Sequence, residues 1–289
     1  MKITKIALLL ALMIGTTLSQ VSLQANAALL TQTQREYLSG LGEITMCVDP
    51  DWVPFEQITP LGEFVGIAAD LVSLVAERLD ITFTLLPTLH WDETVQKYEN
   101  NECHIVPFLN QTPEREEHLL FTEPIFTDAN VLITRNEYHY VTDLANISSA
   151  TIALPSNTSV GQIIAQHYPN LTIIPTLTEK EAFQMVENNE ADMTIRSRII
   201  AAYTIRQEGL FNLRINGQLP AQFDNHFRIG VTIAEPELRD ILDIGVLSIT
   251  NQDKEEIINR HVYIVIEQPL DLEMIGRIFF VVVLILGFI

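Results

Sequence analysis

IAADLVSLVAERLDITFTLLP, residues Ile67 to Pro87, carries two periodicities in succession. Ile67, Leu71, Leu74, Val75 and Leu79 recur at the three- and four-residue intervals of one helical face. From Ile81 the β-branched and apolar residues bunch together and stop at Pro87, which reads as a strand. A short strand also precedes this helix, in ITMCVD (44–49). Strand, helix and strand in close order are the unit from which parallel sheets are built.

The same alternation extends in both directions along the chain. A helical stretch begins at Trp91, the run CHIVPF (103–108) reads as a strand, and PEREEHLL (113–120) reads as a helix. The cycle restarts after Asn136. TIALP (151–155) precedes a helix from about Ser159, TIIPTL (172–177) precedes EKEAFQMVENNE, and ADMTIRS (191–197) precedes RIIAAYTIRQEGL. Two α/β lobes follow from this pattern. Past the Pro220 loop, FRIGVTI (227–233) leads into two helices, Glu235–Ile249 and Gln252–His261, and periodicity alone leaves open which lobe this strand joins.

With 289 residues and 47% hydrophobic content the chain can bury substantial cores. Its formal charge is −20, and without the first 27 residues 15 basic against 37 acidic residues give −22, which argues against nucleic acid as a partner. Residues 1–27 have the pattern of a secretory signal: Lys2 and Lys5, an apolar stretch Ile6–Leu18, and the small-x-small site Ala25-Asn26-Ala27. An uncleaved anchor is the alternative. Residues 28–41 read as a helical lead-in, and 274–289 as the start of a transmembrane helix. The apolar run Ile278–Ile289 reaches only ~18 Å of the ~30 Å hydrocarbon layer. We therefore expect the outer part of a longer polypeptide held to the periplasmic face of the inner membrane. A complete protein with a short apolar tail is the alternative.

The two cysteines, Cys47 and Cys103, would sit in an oxidising compartment. Their expected places, near the end of one strand and the start of another, hold them several residues apart and disfavour a bridge. No CxxC, HxxxH or clustered histidine spacing is present. Neither a metal nor a cofactor is expected.

In open α/β sheets ligands bind beyond the carboxyl ends of strands, where loops enter helices. NQTPER (110–115) lies at such a place. Thr112 suits an N-cap, Pro113 the first helical position, and Arg115 has no acid at helical spacing, so backbone amides and a guanidinium together would suit a carboxylate. A capped helix whose Arg115 reaches a distant surface acid is the plain alternative. DPDWVPFE (49–56) puts Trp52 and Phe55 at the end of the first strand, as pocket walls or as lids over a core. Trp91 could serve likewise or pack its helix. Asn157, Thr158 and Ser159 precede a helix in the second lobe, as caps or as a second anion cradle. Arg196 and Ser197 end a strand on opposite sides, so at most some of that group reaches a cleft.

Taken together, DPDWVPFE, GEFVGIAADLVSLVAERL, NQTPEREEHLLFTEPIF and LPSNTS, in that order between about Gly42 and His261, resemble the periplasmic solute-binding proteins of the amino-acid-binding type, the two-lobed Venus flytraps. The resemblance implies a periplasmic-binding-protein-like fold of type II. Lobe 1 would comprise 42–134 with 228–268, lobe 2 would comprise 138–224, and hinge strands would lie near Ile133–Asn136 and Asn225–Arg228. It also implies that Arg115 grips a ligand carboxylate, helped by Asn110, Thr112, Thr158 and Ser159, while Trp52 or Phe55 covers the side chain. Where that family commonly places an aspartate for the ligand's ammonium, this chain has Ser197 between two arginines. A non-amino carboxylate, or an amino acid held by another acid such as Asp49, fits better.

The apolar C-terminal segment resembles instead the sensory domains joined through a membrane helix to histidine kinases or diguanylate cyclases. The expected function is a sensor of a small carboxylate. A tethered receptor for an ABC-type transporter is the alternative, and a dehydratase-like enzyme, with Asp49, Glu56 or His226 as a conceivable acid, is a third. A homodimer is compatible with such a receptor, though no interface is legible.

Overall fold

The computed structural model describes residues 29–262. The expected signal peptide and the apolar run from Ile278 lie outside the described residues. A helix, α1 (Gln32–Leu41), starts at a reciprocal capping box between Thr31 and Gln34 and leads into β1 (Ile44–Met46). A small antiparallel ribbon follows, of β2 (Asp51–Trp52), β3 (Glu56–Ile58) and β4 (Phe64–Val65). The chain continues through α2 (Ile67–Leu79), β5 (Phe83–Leu85), α3 (Trp91–Glu99) and β6 (Ile105–Asn110).

β1 runs parallel to β5 and to β6, the arrangement that the strand-helix-strand pattern requires. α2 buries Ile67, Leu71, Val75 and Leu79 and half-buries Leu74, so its apolar stripe is the face that covers the sheet. Its first turn is fixed by Gly66. There φ is +121°, and a Cβ would lie 2.3 Å from the Phe55 carbonyl oxygen, a contact no side chain survives. The close approach lets Ile67 and Ala68 donate their amides to the Pro54 and Phe55 carbonyls, at 3.0 and 2.9 Å. The helix N-terminus is thus tied to the loop that carries Trp52.

β7 (Leu119–Phe121) and β8 (Phe126–Asp128) complete the first sheet together with β14 (Asn225–Thr232), in the order β5-β1-β6-β14-β7 with β8 also on β14. FRIGVTI therefore returns to the first sheet, antiparallel to β6. The second sheet holds β9 (Asn130–Arg135), β10 (Ala150–Pro155), β11 (Leu171–Thr176), β12 (Met193–Ser197) and β13 (Leu213–Gln218), in the order β11-β10-β12-β9-β13. Its helices are α4 (Ser159–His167), α5 (Glu179–Glu187) and α6 (Arg198–Gln207).

The chain leaves the first sheet between β8 and β9, at Ala129, and returns between β13 and β14. The first crossing was expected at Ile133–Asn136. It comes earlier because β9 is paired with β12 from its first residue, Asn130, through Thr134. The two crossings lie side by side: Asn225 stands opposite Asp128 in the β8–β14 ladder and donates to the Asp128 carbonyl and to Asn130 Oδ1. The chain then packs α7 (Pro236–Ser248) and α8 (Asn251–His261) back on α2. Arg78 pairs with Asp253 at 2.6 Å, and Asp70 meets Arg260 at 3.1 Å and His261 at 2.8 Å.

Two expectations are corrected here. Cys47 and Cys103 form a disulfide, with Cα atoms 5.8 Å apart. Met46 pairs with Ile105, and Cys103 precedes the strand instead of opening it, so the chain is free to bend back to Cys47. The bridge closes a separation of 56 residues, and replacing both cysteines with alanine is expected to lower unfolding stability by about 2–4 kcal/mol in urea titrations. The second correction concerns PEREEHLL. After Thr112 the chain makes only a three-residue 3-10 turn, Arg115–Glu117, before Leu119–Phe121 pairs with β14. Tertiary pairing overrides the local helix signal.

Candidate ligand-binding cleft

A cavity of about 310 Å³ opens between the carboxyl ends of the two sheets and is lined from both. That volume suits a small molecule. The first sheet and its loops bring Asp49, Trp52, Asn110 and Arg115 to it, and the second brings Thr158, Ser159, Arg196 and Ser197.

Arg115 is 8% exposed, and its position follows from local bonds. Its amide donates to Thr112 Oγ1 at 3.3 Å, and its Nη1 donates to the Asn110 carbonyl at 2.8 Å. Nη2 reaches the Asn157 carbonyl across the cleft at 3.5 Å, and the guanidinium carbon lies 5.6 Å from the Trp91 ring centroid. No carboxylate forms a salt bridge with Arg115 among the described residues. Burial lowers its pKa, while Tyr98 and Glu114 act the other way. A buried guanidinium that meets two carbonyls and the Tyr98 hydroxyl, with no carboxylate salt bridge among the described residues, retains donors for an anion.

Asn110 bridges the halves: its Nδ2 donates to Ser159 Oγ at 2.9 Å and to Asn225 Oδ1 at 2.8 Å, and its Oδ1 accepts from the His226 amide. Asn157 Nδ2 donates to Asp92 Oδ1 at 3.0 Å, and Gln162 reaches Glu114. The two jaws therefore touch directly along one rim.

Three expected residues have other roles. Phe55 is 0% exposed and does not line the cavity, because it turns under Trp52 into a cluster with Phe108, Phe126 and Phe227 at centroid distances of 5.0–6.0 Å. Trp52 alone of the pair faces the cleft. Thr112 is buried and spends its hydroxyl on the Arg115 amide. Asn157 lies outside the lining and contributes its carbonyl and its rim contact. Nor is there a helix N-terminal cradle beside Arg115, since a single 3-10 turn stands there. Arg196 and Ser197 both reach the cavity although they alternate, because Ser197 ends β12 and caps α6 by accepting from the Ile200 amide.

Apart from Asp49 and Glu56, each of which the sequence reading named as a conceivable acid, the acids of the lining were missed. Asp51, Glu56, Asp92 and Glu179 join Asp49 in the lining, so five carboxyl groups face the cavity with two arginines, Arg115 and Arg196. Glu179 forms a close ion pair with Arg196. Burial pushes Glu179 above the usual carboxylate range, and Arg196 pulls it back. Burial raises Asp49 to about 7, and Glu56 stands well above its ordinary value for the same reason, with Asp49 adding to it. The available signal for Glu179 was an acid in the first turn of a helix that follows a strand, the rule already applied to Arg115.

Residues 44–262 match the model for bacterial extracellular solute-binding proteins, family 3, and the chain belongs to that family. The family is described as one of extracellular solute-binding proteins, and the domain itself is non-catalytic. Among its relatives is the virulence sensor protein BvgS of Bordetella pertussis, 24% identical over 245 residues that cover 84% of this chain and 20% of BvgS. The chain thus spans about a fifth of that relative's length. A putative ABC transporter arginine-binding protein 2 of Escherichia coli is 24% identical over 157 residues, covering 52% of this chain and 60% of that protein. The crystal structure of the B. pertussis BvgS periplasmic VFT2 domain superposes with a TM-score of 0.72 at 24% identity, over 80% of this chain and 98% of that one. The fold is that of a Venus flytrap.

Proposed function

We propose that this chain is an extracytoplasmic sensor domain that captures a small carboxylate between two lobes and passes the closure to a membrane-bound signalling module. The carrying observation is Arg115, buried, free of any carboxylate partner among the described residues, and lining a cavity shared by both sheets. The lobes in this reading are the two sheets with their helices, hinged at Ala129 and at Leu219–Asp224. Asn110, Thr158, Ser159 and Ser197 would complete the carboxylate's hydrogen bonds, and Trp52 would cover the ligand.

Export by residues 1–27 and tethering through the apolar run from Ile278 belong to the same proposal. The clamp of α8 on α2 through Arg78–Asp253 and Asp70–His261 supports a relay from the cleft to the chain beyond. The likeness to sensor proteins favours a kinase output over a cyclase. A tethered receptor for a transporter is the second reading, favoured by the likeness to an arginine-binding transporter component. The reading frame beyond Ile289 separates the two, since a kinase module supports the first and a stop codon the second.

A ligand that favours the closed state stabilises the fold by mass action, about 2.7 kcal/mol at a hundredfold excess over Kd. Arg115→Ala is expected to weaken a stabilising carboxylate by at least about a hundredfold in thermal-shift titrations. Equal binding by wild type and the alanine variant would overturn the assignment.

A further inference from the structure

Two turns approach each other across the cleft from opposite sheets. PSNT (155–158) joins β10 to α4, and LHWD (89–92) leads from β5 into α3. Within the first turn Asn157 stands at φ +55°, in the left-handed region that asparagine enters more readily than most residues. The turn is closed by its own bonds. The Ser156 amide donates to the Thr176 carbonyl at 3.1 Å, and the Thr158 hydroxyl donates to the Pro155 carbonyl at 3.0 Å. The carbonyl and the side-chain amide of Asn157 are spent on the opposite sheet instead.

Asn157 Nδ2 donates to Asp92 Oδ1 at 3.0 Å, and its carbonyl accepts from Trp91 Nε1 at 3.4 Å and from Arg115 Nη2 at 3.5 Å. The carbonyl contacts are long and weak, whereas the bond to the Asp92 carboxylate is short and assisted by its charge. The other contacts along this rim are built differently. Asn110, which meets Ser159, also donates to Asn225 in the hinge passage, so that contact sits at the spine and changes little as the jaws swing. Gln162 and Glu114 meet through long exposed side chains that can follow a moving jaw. None of Asn157's partners belongs to a hinge passage, and its carbonyl is fixed by the backbone of a closed turn.

We propose that Asn157 is the latch of the closed cleft, a positioning residue that holds the second lobe to the first through Asp92 and presents its carbonyl to Arg115. The proposal rests on the two-lobe reading above and deepens it. The cation assigned to the ligand also touches the opposing jaw, so capture and closure are joined at Arg115. Losing the Asp92 bond frees the second lobe to swing away and withdraws the carbonyl from the guanidinium.

The test reads the separation of the lobes with no ligand added. Spin labels at Ser73→Cys on α2 and Gln166→Cys on α4, both exposed positions, report that separation by electron–electron double resonance, since Cys47 and Cys103 are taken up in their disulfide. Asn157→Gly keeps the left-handed turn and the carbonyl but removes the amide. Asp92→Ala removes the same bond from the other side. Each is expected to raise the ratio of open to closed molecules about fivefold, and the double variant no further than either alone. Asp92→Asn combined with Asn157→Asp re-forms a bond between the same positions with the donor on α3, and should restore the wild-type distances. A role confined to folding would lower the melting temperature of these variants and leave the lobe separation unchanged. If Asn157→Gly does not fold, Asp92→Ala, at an exposed position, carries the comparison. Unchanged distances in the single variants overturn the latch, as do effects that add in the double variant, a swapped pair that stays open, or a wild type already as open as the variants. Carboxylate titration of Arg115→Ala bears on capture alone, so the two readings fail separately.

Discussion

Replacing Phe55 with alanine should remove about 3–5 kcal/mol of unfolding stability and lower the melting temperature by roughly 10 °C. The ring is 0% exposed and touches Trp52 at 4.9 Å, Phe108 at 5.0 Å, Phe227 at 5.3 Å and Phe126 at 6.0 Å between centroids. Four aromatic neighbours drawn from four different stretches of chain cannot all collapse into the space that alanine leaves. The backbone on either side is fixed as well, since the Pro54 and Phe55 carbonyls take the first amides of α2. Urea unfolding of the variant is the measurement. A loss below about 1.5 kcal/mol would mean that the cluster relaxes around the gap and that Phe55 is peripheral.

Asp49→Asn should have the opposite sign and depend on pH. Burial raises the folded-state pKa of Asp49 from 3.8 to about 7. Below the unfolded value both states hold the proton and no penalty arises. As pH climbs from about 4 through about 7, the folded state must give up a proton it binds more tightly than the unfolded chain does, so stability is lost over that window. The asparagine cannot ionise, and its side-chain oxygen can still accept the Asp51 amide. The variant should match the wild type near pH 4 and exceed it by up to about 4 kcal/mol near pH 8. Melting temperatures recorded across that range decide the matter. A difference between the two proteins that stays constant from pH 4 to pH 8 contradicts the assignment.

Much of the architecture was legible because its cause is local. The spacing of Ile67, Leu71, Val75 and Leu79 needs nothing beyond the helix itself to orient it, and all four are buried in the structure. Arg115 could be singled out for a related reason: no acid stands at helical spacing from it, and none pairs with it in the fold. Failures occurred where distant chain decides. The Thr112–Pro113 signal is a sound local start, but Leu119–Phe121 is claimed by β14 more than a hundred residues later, and the helix ends after a single turn. Phe55 and Trp52 stand in one tight turn whose two sides belong to core and cleft: both rings meet Phe108 and Phe227, but only Phe55 is fully covered, with Phe126 also against it. Asp49 and Glu179 carry no mark of their meeting, because they approach from different sheets. Cys103 eluded the register argument by sitting before its strand.

The two passages between sheets run next to each other and are stitched by Asn225 to Asp128 and Asn130. Hinges are a few loop or element-terminal residues that absorb a change in backbone angles, and two such passages placed side by side define one line about which the halves can turn. In the proposed closure the halves would turn about that line like covers on a spine, and a captured ligand would set a single angle.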